Sequence, residues 1–159
     1  MSVLTIGNQS FNYPDPGEEA GWGEDATGWA EAVTTALSAL IGTGDILPST
    51  YSIPNNSTNQ DVVGLAFNSS EIRSANINYN VYRKSNTETG IAESGVMLLD
   101  LNDTGAVGQK WQLTIQKNGE AGVSFSVTDS GQIQVTSSDI GLAGYVGTMR
   151  FSAKALSKT

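Results

Sequence analysis

The sequence predicts a mainly β fold with one N-terminal helix, the strands forming an antiparallel β-sandwich or a partly closed barrel. Three observations carry that expectation. Apolar side chains recur at a spacing of two in segment after segment beyond residue 50; clusters of Gly, Asn and Ser separate these segments at roughly 8–12-residue intervals; and only one stretch, ending at Ile41, has helical spacing. A spacing of two sends alternate side chains to opposite faces, so each segment describes a strand with one dry side and one wet side.

Val3 to Ile6 reads as a short strand, followed by a turn-rich Gly7-Asn8-Gln9-Ser10. From Tyr13 to Asp25, two prolines and three glycines predict irregular chain. Tyr13 and Trp22 are large and apolar for such a stretch, which implies that they anchor it to the same chain or to a neighbour. A helix is expected from Asp25 or Thr27 to Ile41: either residue can cap it, Glu24, Asp25 and Glu31 favour its positive end, and Gly42 and Gly44 stop it. Ala26, Trp29, Val33, Ala36 and Leu40 follow the alternating three-and-four rhythm of a helix packed on a helix, with Ala30, Leu37 and Ile41 widening the stripe. The alternative is one amphipathic helix lying on its own sheet.

Gly42 to Pro48 is the predicted boundary, dividing an N-terminal docking segment, 1–48, from a β-domain, 49–159. Tyr51 and Ile53 flank a short strand, and Asp61 to Phe67 adds another. Ala75, Ile77, Tyr79 and Val81 then alternate with Asn76, Asn78, Asn80 and Tyr82, predicting a strand whose wet face is a row of asparagines. Arg83 to Gly90 reads as a polar loop and Val96 to Leu101 as a strand. Trp111 to Val135 reads as three successive strands, with hairpin turns at Asn118-Gly119 and Ser130-Gly131, and a last strand turns Met149, Phe151, Ala153 and Ala155 inward.

The 159 residues contain no Cys and no His, which removes disulfides, thiolate chemistry, the usual zinc ligand and the usual general base near neutral pH. No enzyme activity, cofactor or metal is expected. Residues 1–48 hold seven acids and no base, whereas the remainder holds nine acids and all eight Lys and Arg. That acidity argues against nucleic acid or an anionic membrane as partner, and fits either a solvated surface or a segment that docks on a basic protein. Met1 to Ile6 lacks the features of a signal peptide, and Ala36 to Ile41 is too short to cross a bilayer.

Asp100-Leu101-Asn102-Asp103 clusters oxygen ligands but lacks the glycine and distal glutamate of a calcium loop, so a strand-ending turn is expected. Glu18-Glu19 and Glu24-Asp25 are read as surface or docking charge rather than as catalytic carboxylates. Gly42-Thr43-Gly44 lacks the context of a phosphate loop. Asn78, Asn80 and Tyr82 could face a glycan through amide hydrogen bonds and ring stacking.

Two blocks carry a resemblance. Tyr13-Pro14-Asp15-Pro16-Gly17 with Gly21-Trp22-Gly23-Glu24-Asp25-Ala26-Thr27 resembles a segment near the N-terminus of virion-associated proteins of tailed bacteriophages. Gly122 to Val127, Gly131 to Gln134, Thr136 to Ser138 and Gly144 to Leu156 resemble the terminal β-domain of similar phage structural proteins. The resemblance implies a virion component and, because such proteins are commonly trimeric, a homo-oligomer. The expectation is a capsid decoration or head-fibre-like protein on the virion surface, made in the host cytoplasm and contacting the major capsid protein or another virion protein. Its interface residues would be Tyr13, Trp22, Trp29, Val33, Leu37 and Leu40. The alternative is a carbohydrate-binding receptor module of the tail, with a host glycan as partner.

Overall fold

The computed structural model describes residues 2–6, 9–13 and 22–158, and the side chains within 26–37 and 40–158. The chain divides into two compact units, residues 1–42 and 43–159. In the first, β1 (Ser2–Ile6) and β2 (Gln9–Tyr13) form an antiparallel hairpin with Ile6 opposite Gln9. Gln9 and Ser10, expected in a turn, are drawn into β2 because Phe11 and Tyr13 extend a spacing of two. Helix α1 (Trp22–Leu40) begins earlier than the predicted Asp25. Gly23 is tolerated there because one glycine costs a helix only about 1 kcal/mol. The early start puts Glu24 and Asp25 in the first turn, where the helix dipole favours carboxylates. α1 contacts β1 and β2 and buries Ala32, with Ala26, Val33 and Ala36 half-buried. On its exposed side the Thr34 and Thr35 hydroxyls donate to the carbonyls of Ala30 and Glu31, both at 2.8 Å.

The second unit is the antiparallel sandwich that the sequence predicts. Its strands are β3 (Ile46–Ser52), β4 (Ser57–Ala66), β5 (Ile72–Lys84), β6 (Ile91–Leu101), β7 (Trp111–Gly119), β8 (Val123–Val127), β9 (Gln132–Ser137) and β10 (Val146–Ser157). One sheet has the order β3-β10-β5-β6-β7 and the other β4-β9-β8. Alternation decides what is buried between them: on β5, Ala75, Ile77, Tyr79 and Val81 point inward and Asn76, Asn78, Asn80 and Tyr82 outward. Met149, Phe151 and Ala153 of β10 are likewise buried, and the Tyr79 and Phe125 rings meet edge-on at 5.2 Å across the sheets.

The predicted three-strand meander is corrected at its first turn. β7 pairs with β6, whereas β8 pairs with β9 in the opposite sheet, so Asn118-Gly119 opens a crossover and not a hairpin. Two features turn the chain inward. Gly119 has φ +83, with the Ala92 carbonyl lying where a Cβ would stand, and Ala121 is wholly buried with its N–H donating to the Glu93 carboxylate at 3.3 Å. The second turn is a hairpin as expected: Gly131, also at φ +83, donates its N–H to the Thr128 carbonyl at 2.9 Å, and Val127 faces Ile133.

A second correction concerns Arg83. The polar loop expected from Arg83 starts later, because the spacing of two continues through Val81 to Arg83 and carries this cation into the interior, where it is wholly buried. Its Nε donates to the Tyr145 hydroxyl at 3.2 Å. Nη1 reaches the carbonyls of Ala121 and Gly122 at 2.8 and 3.0 Å, and Nη2 reaches the Asn55 side-chain oxygen at 3.1 Å and the Ser138 carbonyl. The guanidinium also lies 5.6 Å from the centre of the Tyr145 ring. One side chain thus joins the β3–β4 loop, the β7–β8 crossover and the β9–β10 loop.

Candidate functional site

The outer face of the five-stranded sheet is the polar surface that β5 organises. Asparagine is depleted in strands because its side chain competes for backbone hydrogen bonds and packs poorly on a pleated surface. Asn76, Asn78 and Asn80 nonetheless occupy three successive outward positions of the central strand, with Tyr82 next in the column. The register sets their neighbours. Asn80 stands between Arg150 of β10 and Ser94 of β6, Asn78 between Ser152 and Val96, and Tyr82 between Thr148 and Ala92. Farther out, Asn118 and Gln116 of β7 continue the first two rows, and Thr50 of β3 lies beside Arg150. The short side chains around Asn78 and Asn80 leave a shallow depression lined also by Ser49, Thr50, Arg150 and Ser152.

None of the Asn76, Asn78 or Asn80 amides, the Tyr82 hydroxyl or the Arg150 guanidinium has a hydrogen-bond or ion-pair partner among the described residues. The three-stranded sheet treats its polar residues differently. There the Gln134 amide donates to Asp61 at 2.8 Å, Thr136 to the Asn59 side chain at 3.3 Å, and the Ser57 and Ser137 hydroxyls meet at 3.0 Å. Gln132 fills the break in the β4 ladder by donating to the carbonyls of Val62 and Leu65. Across β4 and β9 the polar side chains pair with one another, whereas on the five-stranded sheet the Asn column keeps its donors and acceptors for solvent or a ligand. The Asn78 and Asn80 rows contain no carboxylate.

Carboxylates elsewhere act as structural acceptors. The buried Glu93 takes hydrogen bonds from the Tyr79 hydroxyl at 2.8 Å and the Lys117 ammonium at 3.0 Å. Burial, then the bond to Glu93, raises the Tyr79 phenol well above its ordinary value. Asp129 accepts the N–H groups of Gly108 and Lys110 at 2.6 and 3.2 Å, and the Gly108 bond foremost lowers its carboxyl below the usual value. The expected turn at Asn102 is present: its side-chain oxygen accepts the Thr104 N–H at 3.3 Å. Among the described residues no group of three or more acidic side chains could hold a metal ion, and no helix is long and apolar enough to cross a membrane.

The structure places the sequence-selected residues on two separate units. Asn78, Asn80 and Tyr82 share the outer face, with the Tyr82 side chain 42% exposed. In the first unit Trp29, Leu37 and Leu40 are exposed by 45%, 55% and 73%, and Val33 is half-buried. The side chains of Tyr13 and Trp22 lie outside the described residues. Sequence reading missed Arg150 as a member of the Asn face. In the sequence it is one of eight Lys and Arg spread between Arg73 and Lys158, and only the β5–β10 register brings it beside Asn80.

No family model matches this chain, and no curated protein matches it. Among solved structures, a tailspike protein of an Acinetobacter phage is similar at 12% identity and a TM-score of 0.39. The match covers 69% of this chain and 22% of the tailspike. The chain therefore corresponds to about a fifth of that protein's length.

Proposed function

We propose that this chain is a non-catalytic structural module of a tailed-bacteriophage virion, tail-associated, and that the outer face of its five-stranded sheet binds carbohydrate. The observation that carries the reading is the Asn76-Asn78-Asn80 column, whose amides are unpartnered and held on the most central strand of the sheet. A primary amide offers two donors and an acceptor in one plane, a match for neighbouring sugar hydroxyls, and Tyr82 at the end of the column offers an exposed ring face. Such shallow sites bind weakly one at a time, and display of many copies on one particle supplies the avidity. The resemblance of residues 13–27 and 122–156 to phage virion proteins supports the setting on the virion surface. The first unit supplies attachment: it holds six acids and no base, and it exposes Trp29, Leu37 and Leu40.

Binding to a printed panel of bacterial polysaccharides tests this. The expected result is binding that falls sharply in Asn78→Ala/Asn80→Ala while the melting temperature is kept; absence of binding to every surface polysaccharide of the host defeats it. Release of reducing sugar from a bound polysaccharide would overturn the non-catalytic part.

The exposed helix stripe favours a second reading, a trimeric decoration protein fixed to the major capsid protein. Imaging of particles carrying a labelled copy separates the two, because label on the capsid facets supports decoration and label on the tail supports the first reading. Sedimentation of the pure protein tests the self-association common to both.

A further inference from the structure

Four of the eight Lys and Arg are ion-paired among the described residues, whereas Arg83, Lys84, Lys110 and Arg150 are not, and of these only Arg150 stands on the Asn face beside Asn80. Lys154 bonds Asp45 at 2.6 Å, Lys158 bonds Asp103 at 2.6 Å, Lys117 bonds Glu93 and Glu120, and Arg73 lies 3.9 Å from Asp103. Arg150 is exposed, sits in the middle of β10 between Thr50 and Asn80, and has no such partner among the described residues. The Asn80 row in which it stands, and the adjoining Asn78 row, carry amides, hydroxyls and Val96, and no acid. A guanidinium flanked by neutral amides on a rigid sheet presents its forked donors to solvent with nothing competing for them. Its geometry matches a carboxylate through two parallel N–H···O bonds.

We infer that the depression between β3, β10 and β5 is selective for an acidic saccharide, a sugar bearing a carboxylate, with Arg150 holding the carboxylate and the Asn78 and Asn80 amides taking the adjoining hydroxyls. This rests on the carbohydrate-binding reading above and adds the class of sugar. Three features converge on it: an unpaired cation, a neighbouring column of unpaired amides that cannot neutralise it, and a depression formed by short side chains that lets a ring approach both. Serine and threonine hydroxyls at Ser49, Thr50 and Ser152 complete a lining able to replace the water lost on binding.

The test uses the full-length protein and a matched pair of probes, an oligogalacturonate and the same oligomer with its carboxylates methyl-esterified, beside the printed panel of acidic and neutral bacterial polysaccharides. The acidic probe and acidic panel members are expected to bind about tenfold or more tightly than their uncharged counterparts. That preference should shrink as salt rises and should vanish in Arg150→Gln, whose melting temperature stays unchanged because the side chain is exposed. Arg150→Lys should restore only part of it, since an ammonium cannot make the two parallel bonds. Equal binding of acidic and neutral members, or a preference that survives Arg150→Gln, overturns the charge assignment and leaves carbohydrate binding standing. Binding of no saccharide at all removes both. Capture of a second copy of this chain through its acidic first unit, abolished by Arg150→Gln while no sugar binds, assigns the face to assembly and overturns the proposal.

Discussion

Every hydrogen bond that Arg83 donates within the sandwich goes to a neutral oxygen, so its buried charge is held without a direct ion pair; the Asp139 carboxylate acts on it only from beyond Asn55. Arg83→Met would leave the carbonyls of Ala121, Gly122 and Ser138 without these donors. The expected loss is about 3–5 kcal/mol, read from urea unfolding. Arg83→Lys should recover only part of it, because three donors on one nitrogen cannot span oxygens arranged around a fork. Asp129 and Tyr79 are two of the several side chains that make stability respond to pH. Asp129 keeps a lowered carboxyl pKa in the folded state, so its contribution is present above about 3.8 and is lost as pH falls through the lower folded-state value. Tyr79 holds its proton more firmly when folded, so its contribution is complete below about 10 and is lost as pH rises beyond that. Urea midpoints followed across pH should therefore fall at both extremes. Asp129→Asn should weaken the acid dependence and Tyr79→Phe the alkaline one.

Among the elements, the β7–β8 crossover decides whether the chain makes one broad sheet or a sandwich. Gly119→Ala should cost about 1–3 kcal/mol, because the side chain must adopt positive φ and meets the Ala92 carbonyl at once. Loss of the thermal transition's cooperativity, or a drop of several degrees in its midpoint, is the measurement. The crossover also marks how far the sequence was legible. Alternation is local, so the inward residues of β5, β7, β9 and β10 could be read directly, as could the asparagine column. Partner choice is not local. Asn118-Gly119 has the chemistry of a tight hairpin, and nothing within its own segment says that Ala121 will be anchored by Glu93, nearly thirty residues earlier. Arg83 was misjudged for a related reason: charge suggested a loop, while the acceptors that make its burial tolerable come from three separated connections. The same limit hid Arg150, whose place in the candidate site exists only once β10 is laid beside β5.

For the whole molecule, the division at residue 42 gives a prediction about independence. Residues 43–159 contain the buried apolar cluster running from Ile53 to Ala153, so this fragment alone should fold cooperatively and keep any saccharide binding of the parent chain. Circular dichroism and a binding measurement on the fragment check it; a fragment without a sharp thermal transition would tie the sandwich to its N-terminal unit. The position of β10 matters in a different way. Although it is the last strand of the sandwich to be synthesised, it lies between β3 and β5, hydrogen-bonded to both along much of its length. Until residues 146–157 arrive, a nascent chain has two unsatisfied backbone edges facing an empty slot, each able to recruit a stray strand. A chain cut short before that point should aggregate rather than survive as a working fragment, so premature termination would eliminate the protein instead of trimming it.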